Sequence, residues 1–466
     1  MAKRNSSELL IQDLTEILPA RNILTSLEDR DIYSRDKSNL PNKAADAVVF
    51  VENIEQVQNI VKLARGRGIP VICRGAGTNV VGACTVEGCG GIVMDFSKMN
   101  KILEINAENS TVRVQPGVVV GELQKQVEAL GLYYPPDPSA LAISTIGGSI
   151  AQSSAGARTF KYGSTKDYVL GLVVVTADGE ILRTGSSTVK NATGYNLGSI
   201  FIGSEGTLGI VVEAVLKLIP KPESKKVMLA YFDTVRNAVK AVNTIIEKRI
   251  LPATIDFMDK NAVNTAEKYS PSGMLCDKEA LLVIEIDGCE NSLENTRKVT
   301  VDVLEKCGAC AIRCSGSDEE YEKIWAARRS SMTACAQLRD HVTTDDVIVP
   351  RDKLARLVEG IQKICTKYKL ISCLIGHIGD GSVHPQIPID YNDEDEYSRY
   401  KLAKKEIYDL TVSLGGLISG EHGIGSLKRD YIHKFVDANA LKYMRKIKEV
   451  FDPDNILNPN KIFLPE

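Results

Sequence analysis

The chain is short of histidine and tryptophan, with five of the first and one of the second in 466 residues. It lacks a basic excess too: 57 Lys and Arg against 60 Asp and Glu leave a formal net charge of −3. That excludes a cationic stripe for a phosphate backbone, and no nucleic-acid partner is expected. No run reaches the about 18–20 uninterrupted apolar residues of a membrane span, since even LGSIFIGSEGTLGIVVEAVLKLIP carries Glu205 and several glycines. The opening stretch MAKRNSSELLIQDLTEIL is amphipathic and charge-interrupted, without the apolar centre or small-residue cleavage site of a signal peptide. A soluble, cytoplasmic protein without a membrane span is the expectation. Internal repeats and low-complexity tracts are also missing. Cysteine is plentiful, but its odd total of 11 and irregular spacing favour reduced thiols over a disulfide framework. Cys307, Cys310 and Cys314 form C-x2-C-x3-C. With no fourth cysteine close by and strand-like residues between, half-buried strand thiols are favoured over an iron–sulfur cluster.

What is present points to two or three packed units, given the length. VVFVENIEQVQNIVKLARGRGIPVICRG reads as strand, helix, strand: Val48 to Val51 is apolar, and Ile54, Val57, Ile60, Val61 and Ala64 follow helical spacing before Gly68. Short β-rich runs then continue to about residue 219. PKPESKK, with two prolines and a charge run after an apolar strand, marks a boundary near 220–226. Beyond it, VMLAYF, TVRNAVKAVNTIIEKR, ATIDFM, EALLVIEID, NSLENTRKVTVDVLEKCG and CAIRC alternate strands with helices, as an α+β unit with an antiparallel sheet does.

CRGAGTNVVGAC puts a glycine loop directly after the strand Val71 to Cys73. Such a loop can turn backbone N–H groups toward phosphate, or it can be a tight turn only; it is not the dinucleotide fingerprint, because no helix opens at its third glycine. PPDPSALAISTIGGSIAQSSAGARTFKYGST is a second glycine-, serine- and threonine-rich stretch, of a length uncommon in loops that bind nothing. These two stretches, with SEGTLGIV at 204–211, GHIGDGSVHP, GEHGIG and FDPDNILNPNKI, closely resemble the vanillyl-alcohol-oxidase-type flavoproteins. Within that family the resemblance is to the branch of D-lactate dehydrogenases and glycolate oxidase flavin subunits.

The resemblance implies an α+β fold: a two-subdomain FAD-binding domain over 1–220, an α+β substrate cap with an antiparallel sheet over 221–415, and a C-terminal segment, 416–466, returning to the FAD domain and active site. It implies FAD contacts at Arg74, Gly75, Ala76, Gly77, Thr78, Asn79, Gly82, Pro138, Thr145, Gly148, Ser154, Gly156 and Ile210. Some relatives attach flavin through a histidine. Here none precedes His341, so non-covalent FAD is expected, and Cys84 or Cys89 has no evident reason to substitute.

Three of the five histidines sit in two glycine-flanked stretches. His377 and His384 lie across GDG, a turn that can aim both imidazoles at one point, and Glu421 adjoins His422. If that pair is extended, its side chains diverge, so that one can ligate while the other works on substrate. Two imidazoles and a carboxylate suit zinc, iron(II) or manganese with open positions; ordinary loop or core histidines are the alternative. The resemblance assigns His377, His384 and Glu421 to the metal and His422 to the role of base. Oxidising an alcohol removes a hydroxyl proton as hydride leaves carbon, and a divalent cation beside the hydroxyl acidifies it. A substrate carboxylate calls for a guanidinium fork, and the resemblance places it at Arg328, three residues after Trp325; a surface arginine is the alternative. Met332 and Thr344 stand where diacid-specific relatives carry threonine and lysine, which favours a small monoacid. Gln386 can add an amide contact.

The expectation is FAD-dependent oxidation of a small D-2-hydroxy acid, D-lactate to pyruvate first, with glycolate oxidation as the alternative. A catalytically silent flavin subunit of a larger complex is the rival from another class. The chain shows neither a four-cysteine cluster pattern nor a nicotinamide fingerprint, so electrons should pass to oxygen, a quinone or a partner protein. An electron-transferring flavoprotein or an iron–sulfur subunit is expected, the first preferred.

Overall fold

A computed structural model describes residues 2–38, 40–88 and 90–464. The chain forms two compact units: one from the N-terminal stretch to Ser154, Ser164–Lys221 and the residues from Glu421 on, the other from Ala155–Gly163 and Pro222–Gly420. Among the described residues no helix is long and apolar enough to cross a membrane.

In the first unit, strand Ala47–Phe50, helix Ile54–Arg67 and strand Val71–Arg74 form the β-α-β element that the spacing implies. The Asn53 side chain caps the helix by accepting from the Gln56 N–H, and Gly68, at φ 61°, ends it in the left-handed region that glycine adopts without strain. The buried residues Val57, Ile60, Val61 and Ala64 follow the 3.6-residue period. Both strands pair in parallel with Ile92–Asp95, and Ile23–Leu24 closes a four-stranded sheet. A second, five-stranded antiparallel sheet runs in the order 102–106, 111–114, 210–217, 169–175, 181–185. Ile456 and Leu457 of the C-terminal tail join the core of the first sheet, and the Val71 N–H donates to the Ile456 carbonyl at 2.7 Å.

The second unit is built on one eight-stranded antiparallel sheet. Its order is Ala309–Cys314, Ser224–Phe232, Ala280–Gly288, Thr254–Asp259, Cys373–Gly376, Ser382–Ile389 and His341–Thr344, with Val347–Ile348 also on Ser382–Ile389. Segment 155–163 is tied to it: the Tyr162 hydroxyl donates to Asp287 Oδ2 at 2.6 Å, Lys161 pairs with the same carboxylate, and Arg158 pairs with Glu285 at 3.4 Å. Cys310 and Cys314 lie in the edge strand and Cys307 just before it; Cys310 is exposed and donates to Asp233. The interior strands Thr254–Asp259 and Ser382–Ile389 are buried at every position. A charge or imidazole on such a strand is expensive unless it is partnered, so their polar residues locate the chemistry.

Candidate active site

Three elements of the second unit converge on one buried carboxylate. His377 follows strand Cys373–Gly376, and His384 lies on Ser382–Ile389 opposite Ile375. The turn between them depends on missing side chains. A Cβ on Gly376 would meet the backbone of Ser382 and Val383, and one on Gly381, at φ +95°, would strike the Val349 carbonyl. The tight return sets the two imidazoles 5.2 Å apart, centre to centre, at 75°. His377 Nδ1 is 2.6 Å from Asp256 Oδ1, and the other oxygen, Oδ2, lies 2.8 Å from Arg328 Nε at the end of helix Asp318–Arg329. Burial opposes ionisation of Asp256, yet the charges of Arg328, His377 and His384 hold its carboxyl below the usual range. Of the two neighbouring arginines only Arg328 is buried; Arg329 points outward and pairs with Glu322.

A second buried carboxylate serves the other histidine. Asp346 Oδ1 is 3.5 Å from His384 Nδ1, while Oδ2 accepts from the Gly420 N–H at 2.7 Å and the Ser419 hydroxyl at 3.2 Å. Asp346 therefore holds the residue that precedes Glu421 and faces His384. Thr344 and Gln386 face each other across neighbouring strands, and Thr344 Oγ1, Gln386 Oε1 and Trp325 Nε1 are buried without a hydrogen-bond partner among the described residues. Orphaned buried polar atoms of this kind mark a place where a polar ligand completes the hydrogen bonding.

The first unit holds the glycine loop after Val71–Arg74, the 138–154 stretch and the residues from Glu421 on. Gly77 and Gly82 have φ of +65° and +78°, and a Cβ on Gly75 would collide with the Thr145 hydroxyl, so the loop after Val71–Arg74 lies close against the cap of helix Ile146–Gln152. Thr145 accepts from the Gly148 N–H, and Arg74 donates to the Arg35 carbonyl and lies over the Tyr33 ring. Ala76 and Thr78 are loop residues between these glycines, Pro138 lies in irregular chain, and Ile210 opens strand Ile210–Lys217. The Ser154 carbonyl accepts from the Thr165 N–H at 3.0 Å and hydroxyl at 2.7 Å. Gly156, two residues on, belongs to the second unit and donates to Thr159. Ser149 Oγ and Gln152 Oε1 are buried without a hydrogen-bond partner among the described residues. Bare backbone, positive-φ glycines and orphaned oxygens in one place form a cradle that fits a long, hydrogen-bond-rich cofactor.

Asn79 Nδ2 donates to the His422 carbonyl at 3.1 Å, and the Ser426 and Leu427 N–H groups both donate to the Val81 carbonyl. Glu205, in SEGTLGIV, accepts from the Ile424 and Gly425 N–H groups at 2.7 and 2.8 Å. Burial pushes its carboxyl up to about 7, against those two hydrogen bonds and the charges of Lys461 and Lys428. The expected divergence of Glu421 and His422 does not hold. The two residues occupy bends, not extended chain, and His422 Nε2 comes within 3.5 Å of Glu421 Oε1. Sequence reasoning missed Asp256, Asp346 and Glu205. The signal for the first was a carboxylate in the apolar run ATIDFMD; for Asp346 and Glu205, nothing in the spacing announced a partner.

Solved structures share this fold. That of p-cresol methylhydroxylase with substrate bound superposes with a TM-score of 0.83 at 19% identity, covering 98% of this chain and 96% of that one. The 4-ethylphenol oxidase from Gulosibacter chungangensis gives 0.79 at 17%, covering 98% and 97%. The architecture is that of the vanillyl-alcohol-oxidase-type FAD oxidases. Residues 45–185 match the FAD binding domain family, and 221–462 match the family described as FAD linked oxidases, C-terminal domain. Over 97% of this chain and 96% of the relative, the glycolate oxidase subunit GlcD of Bacillus subtilis (strain 168) is 40% identical. D-lactate dehydrogenase of Anaerostipes hadrus is 33% identical over 97% of each chain. D-2-hydroxyglutarate dehydrogenase of Stutzerimonas stutzeri (strain A1501) is 32% identical over 97% and 98%. The chain belongs to the FAD-linked oxidase family, as an FAD-dependent oxidoreductase.

Proposed function

We propose that the protein oxidises a short 2-hydroxy monoacid, D-lactate or glycolate, to its 2-oxo acid. The observation that carries this reading is the junction at Asp256, where a buried guanidinium and a buried imidazole share one carboxylate. Arg328, its Nε turned to Asp256, has the planar end of the fork for a substrate carboxylate. His377, His384 and Glu421 hold a divalent zinc, iron(II) or manganese ion: each histidine has its Nδ1 turned to a carboxylate, which leaves Nε2 for ligation. Arg74 to Asn79, Gly82, Pro138, Thr145, Gly148, Ser154, Gly156 and Ile210 make the FAD contacts. When bound, FAD takes the hydride and the cation acidifies the hydroxyl. His422 accepts the hydroxyl proton on its imidazole, and Asn79, through the His422 carbonyl, holds that residue in place.

D-lactate and glycolate differ by one methyl on the reacting carbon. The relative named a glycolate oxidase subunit, at 40% identity, favours the second; the relative named D-lactate dehydrogenase, at 33%, supports the first. Thr344 and Met332 offer no cation for a second carboxylate, so D-2-hydroxyglutarate should be a poor substrate. FAD is held non-covalently: no histidine precedes His341, the first unit's histidines, His422 and His433, come from its C-terminal segment and His422 is taken as the base, and burial pushes the Cys84 thiol up to about 12, far from a reactive thiolate. Cys89 lies outside the described residues. Electrons leave through a separate carrier, an electron-transferring flavoprotein or an iron–sulfur subunit.

The test is anaerobic bleaching of the bound flavin by D-lactate, L-lactate, glycolate and D-2-hydroxyglutarate, with two variants beside wild type. His384→Ala should lose metal by elemental analysis and keep FAD. His422→Ala should keep both while flavin reduction slows by about 10²-fold or more. Metal lost from His422→Ala but kept in His384→Ala reverses the roles, and no bleaching by any of the four acids ends the proposal.

A further inference from the structure

We infer that Asp256 is a single positioning residue shared by the metal ligand His377 and the carboxylate-gripping Arg328, so that one buried carboxylate sets both halves of the substrate site. The inference rests on the roles proposed above for those two residues. Its own basis is geometric. Asp256 is 1% exposed, on an interior strand whose every residue is buried. It offers Oδ1 to His377 Nδ1 at 2.6 Å and Oδ2 to Arg328 Nε at 2.8 Å. The two partners come from elements remote in sequence, a helix end and a turn after a strand. Asp256 pairs with both and so relates them.

The contacts dictate what each oxygen does. An acceptor at Nδ1 fixes His377 as the Nδ1–H tautomer, or as the doubly protonated ring when no metal is bound, and so aims Nε2 away from the strand. The carboxylate pairs with the guanidinium at Nε and leaves the two terminal nitrogens for a substrate carboxylate. Asp346 differs in kind. Its second oxygen goes to the Gly420 N–H and the Ser419 hydroxyl, so it supports a histidine and backbone, with no contact to the arginine. The prediction separates the two acids: loss of Asp256 weakens metal and carboxylate binding together, whereas loss of Asp346 weakens metal alone.

The experiment uses the FAD-loaded protein and two probes that need no turnover. Zinc affinity is measured by competition with a chromogenic chelator. Propanoate, which carries the carboxylate without the hydroxyl, is titrated by calorimetry in zinc-free protein. Asp256→Asn keeps size and removes charge; both affinities should fall, zinc by about 10- to 100-fold and propanoate by about 10-fold or more. Arg328→Lys should weaken propanoate and leave zinc within about twofold, and Asp346→Asn should do the reverse. If Asp256→Asn does not fold with its FAD, Asp256→Glu, which keeps the charge but moves both oxygens by a methylene, is judged on the same two readouts. Either variant weakening only one probe, with the other within about twofold, overturns the inference. Wild-type protein that binds propanoate but no zinc overturns instead the metal reading on which it rests, and that outcome is seen before any variant is made.

Discussion

The two units build their functional surfaces from opposite materials. In the first, the important atoms are backbone and the important side chains are missing ones: Gly77 and Gly82 take positive φ, Gly75 lies against the Thr145 hydroxyl, and Gly425 lies so close to the Val81 carbonyl that a Cβ would collide with it. In the second, the important atoms are buried charges: Asp256 on an interior strand pairs with His377 and Arg328, and Asp346, between two strands, faces His384. A surface made of backbone tolerates almost no added volume, while one made of charges tolerates volume better than loss of a partner.

The sharpest way to break that contrast is to add one carbon to the first unit. A Cβ on Gly425, at φ +52°, would drive into the Val81 carbonyl, which accepts from Ser426 and Leu427. Gly425→Ala should part the GEHGIG segment from the glycine loop and slow flavin reduction by about 10²-fold or more, because His422 loses its setting. Rates within about threefold of wild type would show that the close approach is incidental. Next in size, Arg328→Lys keeps the charge and loses the fork: KM for the hydroxy acid should rise about 10- to 100-fold with kcat changed much less. An unchanged KM would give the carboxylate to another residue.

A smaller effect concerns acidity. The carboxyl of Glu205 sits at about 7 in the folded protein against an ordinary 4.5, so the folded state binds the extra proton. The stability it contributes is complete below the ordinary value and is lost as pH rises through about 7. Asp259, buried and pushed up to about 7 as well, acts in the same direction. The melting temperature should therefore fall between pH 5 and pH 8, and Glu205→Gln should remove about 2–4 °C of that fall; an identical slope in the variant would show that the carboxylate stays charged throughout. Smallest is Cys310→Ser at the exposed sheet edge. It should leave iron content at background and stability within about 0.5 kcal/mol, as surface changes do, and iron lost on substitution would restore a cluster at 307–314.

The legibility of each region follows from how it is held. The β-α-β element could be read because an apolar run, helical spacing and a terminal glycine are local signals lying within about 30 residues. The histidine turn could be read because two imidazoles seven positions apart across GDG need only a tight return to meet. The boundary near PKPESKK was visible in composition, but the transfer of segment 155–163 to the second unit was not: Lys161, Tyr162 and Arg158 are bound by Asp287 and Glu285, more than 120 positions away. The divergence of Glu421 and His422 depended on extended chain, and the backbone bends there instead.

By itself, then, the sequence determined which residue types could perform the chemistry: scarce histidines concentrated beside glycines, an arginine three residues beyond the sole tryptophan, and loops without side chains where a cofactor's backbone contacts belong. Tertiary structure alone decided which carboxylates stand behind them. Asp256, Asp346 and Glu205 look like any other acidic residue along the chain, and they act only because folding buries each one and brings its partners from 38 to more than 200 positions away. A local pattern records what a residue can do; the pairing of a buried charge depends on which distant groups share its desolvated space, and no spacing rule carries that information.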